Sequence, residues 1–441
     1  MRTGASLLMY VALYQLAASI WTKSRPRRVF FLLVSVGSGF GWILAPLTGD
    51  GSFFDVTTPG AFPFYSSLMN VHYPLAIACV ALLASVIVVI FRPGVTELPT
   101  VNNEGLTIFL VSLLLAFIYP LALIPLAIAF GINLAVDFYK TRTMNRPQLI
   151  WFLWFGVPAL PMVTYYAAVA QNNRVVAEIW SQQQSSPVSP VLLILGLGLP
   201  LIVALPGISR AIRRFEADGD RFMLIWLLTI VALMYLPSLF QQRFTFALMI
   251  PIVYFATRAT EDFWLRQVKS RRWHRRIFAA VLPIIAASHL FVLILPLRPL
   301  STDDFSDAGS VLLRHNYVDA FNWLERNTDS SDVILASPDV SLWIPARVGA
   351  RAVYAHPRHT TDPKIKKAAV LEWYRQTDAE GCDSLLRGDI SFDGRYRVRY
   401  VIVGPNEEEI GHSVCPEALH LVRTFNTVKV YAVESIADIN D

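Results

Sequence analysis

The sequence predicts a polytopic α-helical membrane protein that carries a C-terminal soluble α/β domain. Three observations predict it. Apolar runs long enough to cross a bilayer fill residues 1–297 and stop there. The Lys and Arg residues between those runs fall almost entirely in alternate connectors. Residues 298–441 then change to short apolar strands alternating with amphipathic stretches. The composition agrees: 54% of the 441 residues are hydrophobic, 16% are charged and the mean hydropathy is +0.46, whereas soluble chains average about 25% charged residues. The net charge of +5 sits mostly in short connectors, where it encodes topology rather than affinity for nucleic acid.

A spanning helix needs about 20 apolar residues. Residues 4–21 and 29–47 qualify, the second containing Gly37, Gly39 and Gly41, which permit close helix approach. Residues 71–91 form a third span, closed by Arg92-Pro93-Gly94. A single helix over 106–139 would be about 50 Å long, against a hydrocarbon core of about 30 Å. Charge resolves this. Lys23, Arg25, Arg27 and Arg28 must share a side with Lys140, Arg142 and Arg146, which requires a hairpin broken at Tyr119-Pro120. Residues 149–170, 191–209, 222–239, 244–258 and 277–297 complete about ten spans. Nineteen Lys and Arg residues then lie in inside connectors, while the outside connectors hold only Arg174 and Arg243. This pattern places the loop within Gly37–Pro74, residues 171–190, the 236–244 turn and the C-terminal domain outside. MRTG leads directly into an apolar run, without the pattern of a cleavable signal.

In the exported domain, 317–327 has helical spacing of Ala320, Phe321 and Leu324, and 332–337 reads as a buried strand. A short helix over 339–348, a strand over 351–355, a helix over 362–376 and a strand over 399–405 follow. Residues 420–433 read as a hairpin around Asn426-Thr427. This alternation implies a layered α/β domain. No GxGxxG or Walker pattern occurs, so no nucleotide cofactor is expected. Of three cysteines, Cys79 lies in an apolar run and Cys382 and Cys415 in the exported domain; spacing leaves open whether the last two pair.

Three outside elements converge on one membrane face: the loop with Asp50 and Asp55, Asn70 and His72 at the mouth of a span, and Gln241-Gln242-Arg243. A carboxylate there can bind a divalent cation or act as a general base, and an arginine can clamp a phosphate. Each group also has a plainer reading: a solvated loop acid, a helix-end histidine, an arginine snorkelling to headgroups. Trp42, Phe62, Phe64 and Tyr65 equally fit an interfacial aromatic belt. The His356-Pro357-Arg358-His359 run has no Cys or carboxylate at ligand spacing, so it reads as surface. The spans hold few ionisable residues beyond Asp137 and Lys140, which disfavours a transporter.

GSGFGW followed by an outside Asp, then FPFYSSLMNVHYPLAI, resembles a group of bacterial polytopic membrane proteins related to the GT-C glycosyltransferases. The 171–190 loop, YLPSLFQQRFTFALMIPIVY and the tail segments FNWLERNT, VILASPDVSLWIPARVGARAVYAHP and YVIVGPNEEEIG resemble the same group, so the likeness covers nearly the whole chain. The resemblance implies a plasma-membrane, multi-pass enzyme of the cell envelope. It would have a transmembrane GT-C-like domain over 1–297 and an extracytoplasmic α/β domain over 298–441. It would move a sugar from a polyprenyl-phosphate-linked donor to an extracytoplasmic glycan, lipid or protein acceptor. It further implies an acidic residue in the first large external loop, a divalent cation such as Mg or Mn, and a basic residue at the lipid phosphate. Asp55 is then expected as base and metal ligand, with His72 orienting acceptor or base. Arg243 would hold the phosphate, and Gln241, Gln242 and Asn70 would line the substrate. The chain has no long acidic loop after its first helix. Three readings stay open: a portion precedes Met1 in a longer protein, Asp55 substitutes, or the chain is a non-catalytic membrane scaffold whose exported domain binds a glycan or protein partner.

Overall fold

In the computed structural model, residues 1–92, 101–182, 186–217, 219–238, 240–268, 270–294, 313–375, 385–386, 397–411 and 419–433 are described. Cys382 and Cys415 lie outside these residues. Two compact units divide the chain, Met1–Leu295 and Pro296–Asp441.

The first unit is helical. It comprises α1 (Arg2–Ile20), α2 (Ser24–Val36), α3 (Gly41–Thr48), α4 (Phe54–Thr57), α5 (Pro63–Leu68), α6 (His72–Ile90), α7 (Val101–Ile118) and α8 (Pro120–Thr141). Then follow α9 (Arg146–Gly156), α10 (Leu160–Asn172), α11 (Arg174–Gln182), α12 (Pro190–Arg214), α13 (Asp220–Tyr235), α14 (Met249–Ala259), α15 (Leu265–Gln267) and α16 (Arg271–Ile294). Among the described residues, 7 segments are long and apolar enough to cross a membrane. The ten segments expected from the sequence are these seven together with three shorter helices, α7, α13 and α14. The apolar part of α7 covers only Gly105–Ile118, α13 has 16 residues and α14 has 11, all below the length a straight span requires. The hairpin expected within 106–139 is present: α7 ends at Ile118 and α8 begins at Pro120, where proline fits the first helical position. Small residues let α1 and α6 pack closely, with Ala12 and Ala17 buried on one and Ala76, Ala78, Ala81 and Ala84 on the other.

The run 29–47 is not one continuous helix. It stops at Val36, passes through Gly37–Phe40 and restarts at Gly41. The glycines do permit a close approach, but by breaking the helix. A Cβ on Gly39 would lie 2.3 Å from the Gly196 carbonyl oxygen. The facing helix, α12, is itself kinked there, with Gly198 at φ 48 and ψ −135. The Phe40 N–H donates to the Leu195 carbonyl at 3.0 Å. Two broken helices therefore meet at their breaks.

Beyond the expected scarcity of ionisable groups, paired charges gather at the helix ends that bear the basic connectors. Asp220, 1% exposed, lies 3.3 Å from Arg210 and 3.2 Å from Arg258 and accepts from the Tyr254 hydroxyl. Arg210 also pairs with Asp262, and Arg221 bridges Asp137 at 2.7 Å and the Asn133 side chain at 3.0 Å. Buried charges persist where each has a partner; these tie α8, α12, α13 and α14 together.

The second unit holds α17 (His315–Asn327), β1 (Val333–Leu335), α18 (Pro338–Ser341), α19 (Ile344–Arg347), β2 (Arg351–Ala352), α20 (Pro363–Arg375), β3 (Val398–Val403), α21 (Pro405–Glu408), β4 (Leu419–Phe425) and β5 (Val428–Val433). The sheet order is β2-β1-β3-β5-β4. Strand β1 pairs in parallel with β2 and β3, whereas β5 is antiparallel to both β3 and β4. Apolar residues alternate between the two sheet faces as strand geometry dictates. Val333, Leu335, Val401 and Val403 pack with Val370, Trp373 and Tyr374 of α20. Ile334, Tyr400 and Ile402 pack with Tyr317, Phe321 and Leu324 of α17 and with Val340 and Ile344. The sheet thus has helices on both faces, the layered α/β arrangement expected.

The meeting of the two helix breaks predicts a contrast between glycines. Gly39→Ala forces a methyl against backbone and should lower stability by about 1–3 kcal/mol. Gly4→Ala, whose Cβ meets nothing within 4 Å, should not. Thermal unfolding of the two variants in detergent measures the difference.

Candidate functional site

The break between α2 and α3 leaves backbone N–H groups inside protein at membrane depth, where each must find an acceptor. Asp55 supplies it. Its Oδ2 accepts from the Gly39 N–H at 3.1 Å and from the Gly41 N–H at 3.0 Å. Gly41 is the first residue of α3, so the carboxylate also faces the positive end of that helix. Only glycine fits the approach, since a Cβ on Gly41 would lie 2.5 Å from the Asp55 carboxylate. From α16, Ser288 completes the arrangement: its hydroxyl donates to the Gly39 carbonyl at 3.1 Å and accepts from the Trp42 N–H at 3.0 Å. Ser38 Oγ donates to the Ile285 carbonyl. With the Ser288 proton directed to Gly39, Oδ1 of Asp55 keeps no hydrogen-bond partner among the described residues.

Asp55 is therefore 0% exposed and engaged with backbone, not open to a substrate-facing surface. A divalent cation would need several oxygens at one point. One oxygen of Asp55 is committed to two amides, and no group of three His, Cys, Asp or Glu side chains comes together among the described residues. These residues do not fit the expected divalent cation. Asp50 is exposed and bonds its own turn, accepting from the Ser52 N–H at 2.9 Å and hydroxyl at 2.7 Å.

The other expected residues do come together. The Gln242 side-chain amide donates to Thr58 Oγ1 at 2.8 Å, and the Ala247 N–H donates to the Gly60 carbonyl at 2.8 Å. These bonds join the 241–245 turn to the segment between α4 and α5. Gln241 donates to the Leu236 carbonyl at 2.9 Å, closing the turn on itself. Arg243 lies with its guanidinium 5.6 Å from the Phe240 ring centre and within electrostatic reach of Tyr119. Rings continue the same wall. Phe246 stacks on Tyr119 at 4.3 Å and on Tyr73 at 6.2 Å, and His72 lies 4.4 Å from Tyr73. His72 is the first residue of α6 and half-buried, while Asn70 is exposed just before it. The Asn70 carbonyl accepts from the Tyr73 N–H at 3.0 Å.

Two groups of interest escape sequence reasoning. His289, 1% exposed, sits among Phe62, Phe64 and Tyr65 with ring centres at 5.4, 5.6 and 6.2 Å. The Val36 carbonyl lies by its ring, but without a well-formed hydrogen bond to either nitrogen. The available signal was a lone ionisable residue inside the apolar run 277–297. In the second unit, Glu407 is 0% exposed. It accepts from the Tyr317 hydroxyl at 2.6 Å, the Gly404 N–H at 3.0 Å, the Ser337 N–H at 2.9 Å and the Ser337 hydroxyl. Within a run of three glutamates, nothing in the sequence marks the first as buried. His356 and His359 lie 4.9 Å apart on an exposed loop, in line with the surface reading.

No protein-family model matches the chain, and no curated protein matches it in sequence. Among solved structures, it is similar to the Archaeoglobus fulgidus oligosaccharyltransferase. The apo form gives a TM-score of 0.45 at 12% identity, covering 99% of this chain and 63% of that one. The complex with Zn and sulfate gives 0.41 at 11%, covering 98% and 60%. The form tethered by a disulfide to an acceptor peptide containing the NVT sequon gives 0.39 at 12%, covering 98% and 62%. This chain spans about three fifths of the length of those structures. The site is defined by its own residues.

Two predictions follow from these carboxylates. Asp55→Ala leaves the Gly39 and Gly41 amides buried and unpaired, at about 1–3 kcal/mol for each. Asp55→Asn retains an acceptor oxygen, so its unfolding midpoint in detergent should fall far less. For Glu407, burial pushes the carboxyl above its ordinary value, partly offset by the bonds from Ser337 and Tyr317. A raised folded value gives a stability contribution present below the ordinary glutamate value and lost as pH rises through the folded one. The stability difference between wild type and Glu407→Gln should therefore shift in favour of wild type as pH falls from about 7 towards about 4. Denaturant titrations at several pH values test this, and a pH-independent difference would contradict it.

Proposed function

We propose that this chain is a GT-C-like membrane glycosyltransferase that moves a sugar from a polyprenyl-phosphate-linked donor to an extracytoplasmic acceptor. One observation carries the reading: the Gln242–Thr58 and Ala247–Gly60 bonds set Arg243 on the same wall as the Tyr119, Phe246, Tyr73 and His72 rings. A guanidinium can hold two phosphate oxygens at once. Ring faces beside it accept an apolar prenyl chain or the apolar face of a sugar. That combination suits a ligand made of sugar, phosphate and lipid.

In this reading an acceptor nucleophile attacks the anomeric carbon, and the bond from that carbon to the phosphate oxygen breaks. The electron pair leaves with the phosphate, where Arg243 stabilises the added charge. His72, at the mouth of α6, receives the acceptor proton. Gln241, Gln242 and Asn70 orient polar groups of the sugar. Asp55 acts through the backbone, fixing the start of α3 and the loop behind the wall, and is a positioning residue.

Arg243→Ala should lower transfer to a labelled acceptor in isolated membranes by about tenfold to a hundredfold, the range expected for losing a hydrogen bond to a charged group. Arg243→Lys should recover part of it, because a point charge lacks the planar fork. Asp55→Asn should retain most of the activity. Full transfer by Arg243→Ala would overturn the reading and leave the scaffold alternative.

A further inference from the structure

A cavity of about 140 Å³ lies where α8 ends and α9 begins. That is room for several waters or one small polar group. Its polar wall comes from three places. Asp137 and Thr141 stand in the last two turns of α8, Thr143 and Asn145 in the connector, and Gln148 in the first turn of α9. Phe138 and Met144 add an apolar side.

Two of these polar groups are already engaged. The Thr141 hydroxyl donates to the Asp137 carbonyl at 2.9 Å. Asn145 Oδ1 caps α9 by accepting from the Gln148 N–H at 3.4 Å. The other three retain capacity. Gln148 is only 8% exposed, yet its side-chain amide bonds nothing among the described residues. A buried amide without a partner is costly, so a guest that bonds it is favoured. The Asp137 side chain is 27% exposed, with Oδ1 2.7 Å from Arg221 Nη1. Arg221 Nη2 has no partner among the described residues. The ion pair is therefore single-ended, and Asp137 Oδ2 is left for a second donor. Thr143 is exposed, and its hydroxyl is also without a bond among the described residues. A carboxylate oxygen, an amide oxygen and a hydroxyl thus line one small space. An ammonium brings three N–H donors to match them.

The surroundings select a lipid as the bearer of that ammonium. Pro120–Thr141 and Arg146–Asn172 are both long and apolar enough to cross a membrane, which sets their junction at the level of the headgroups. Beside the cavity Phe138 is 45% and Met144 52% exposed, apolar surface that the first methylenes of a lipid can cover. Arg142 and Arg146 are exposed on the same connector, where basic side chains meet lipid phosphate. The helix ends agree in sign: the C-terminal end of α8 favours a cation and the N-terminal end of α9 an anion.

We propose that the α8–α9 junction binds a phospholipid whose headgroup ends in a primary ammonium. Asp137, Thr143 and Gln148 accept its N–H donors, and Arg142 and Arg146 meet its phosphate. A trimethylammonium headgroup has no N–H to donate, and an anionic headgroup has no cation for Asp137. The site is separate from the Arg243 wall and does not rest on the transferase reading.

The experiment uses the full chain purified in detergent. Phosphatidylethanolamine, phosphatidylcholine and phosphatidylglycerol with identical acyl chains, and soluble phosphoethanolamine, are titrated by native mass spectrometry. Phosphatidylethanolamine should bind about tenfold tighter than the other two lipids, the scale of one hydrogen-bonding partner gained, and tighter than phosphoethanolamine. Gln148→Leu and Thr143→Val should each remove about tenfold of that affinity and leave phosphatidylcholine binding unchanged. Thr143→Val changes an exposed residue and should keep the unfolding midpoint, so it carries the test if Gln148→Leu does not fold. The proposal is overturned if the three lipids bind alike, if either of the other lipids binds tighter, or if Thr143→Val selects as wild type does. Those results would mean that the cavity holds water only. Phosphoethanolamine binding as tightly as the lipid would overturn the lipid as its occupant.

Discussion

The carboxylate of Asp55 on the amides of Gly39 and Gly41 is the contact on which the membrane unit depends. A helix can be broken inside a bilayer only if the freed backbone groups are answered by protein. Here the break is answered from three directions: by Asp55 on the following loop, by the Leu195 carbonyl of α12 and by Ser288 of α16. Remove the carboxylate and two donors face a low-dielectric interior without partners, a cost larger than most single contacts supply. The glycines are the complementary half of the same device. Gly39 and Gly196 bring backbone against backbone, and Gly41 admits the carboxylate.

From this anchor the wall that carries Arg243 takes its position. Asp55 belongs to α4, and the residues just beyond it, Thr58 and Gly60, receive the two bonds from the 241–247 turn. Arg243 thereby lies near Tyr119, from which the Phe246, Tyr73 and His72 rings lead to the start of α6. The second unit uses a buried acid in a related way: Glu407 joins two strand ends by accepting from both. In each unit a carboxylate that sequence inspection would send to solvent instead organises backbone.

Much of the architecture was legible in the sequence because it rests on one-dimensional patterns. Apolar length, basic connectors and the Tyr119-Pro120 break located the helices, and the alternation of strands and helices gave the layered α/β domain. The co-location of the Gly37–Pro74 loop with Gln241, Gln242 and Arg243 followed from counting connectors. What stayed hidden depends on contacts between distant residues. Gly37, Gly39 and Gly41 read as a smooth packing face because nothing local shows that α12 is also kinked opposite them. The burial of Asp55 was hidden because it is imposed by packing of α4 against α3, α12 and α16. The short helices α13 and α14 look like full spans when apolar residues of the adjoining turns are counted with them. Ser288 and His289 were masked by the apolar residues around them.

The bonds that close the break differ in how much chain they span. Asp55 reaches Gly39 and Gly41 across only 16 and 14 residues, so this clasp is closed within the run from α2 to α4. Ser288 and Ile285 reach the same segment across 249 and 247 residues. Asp55 is thus the local half of a closure whose other half is supplied by Ser288 and Ile285 at the far end of the same unit.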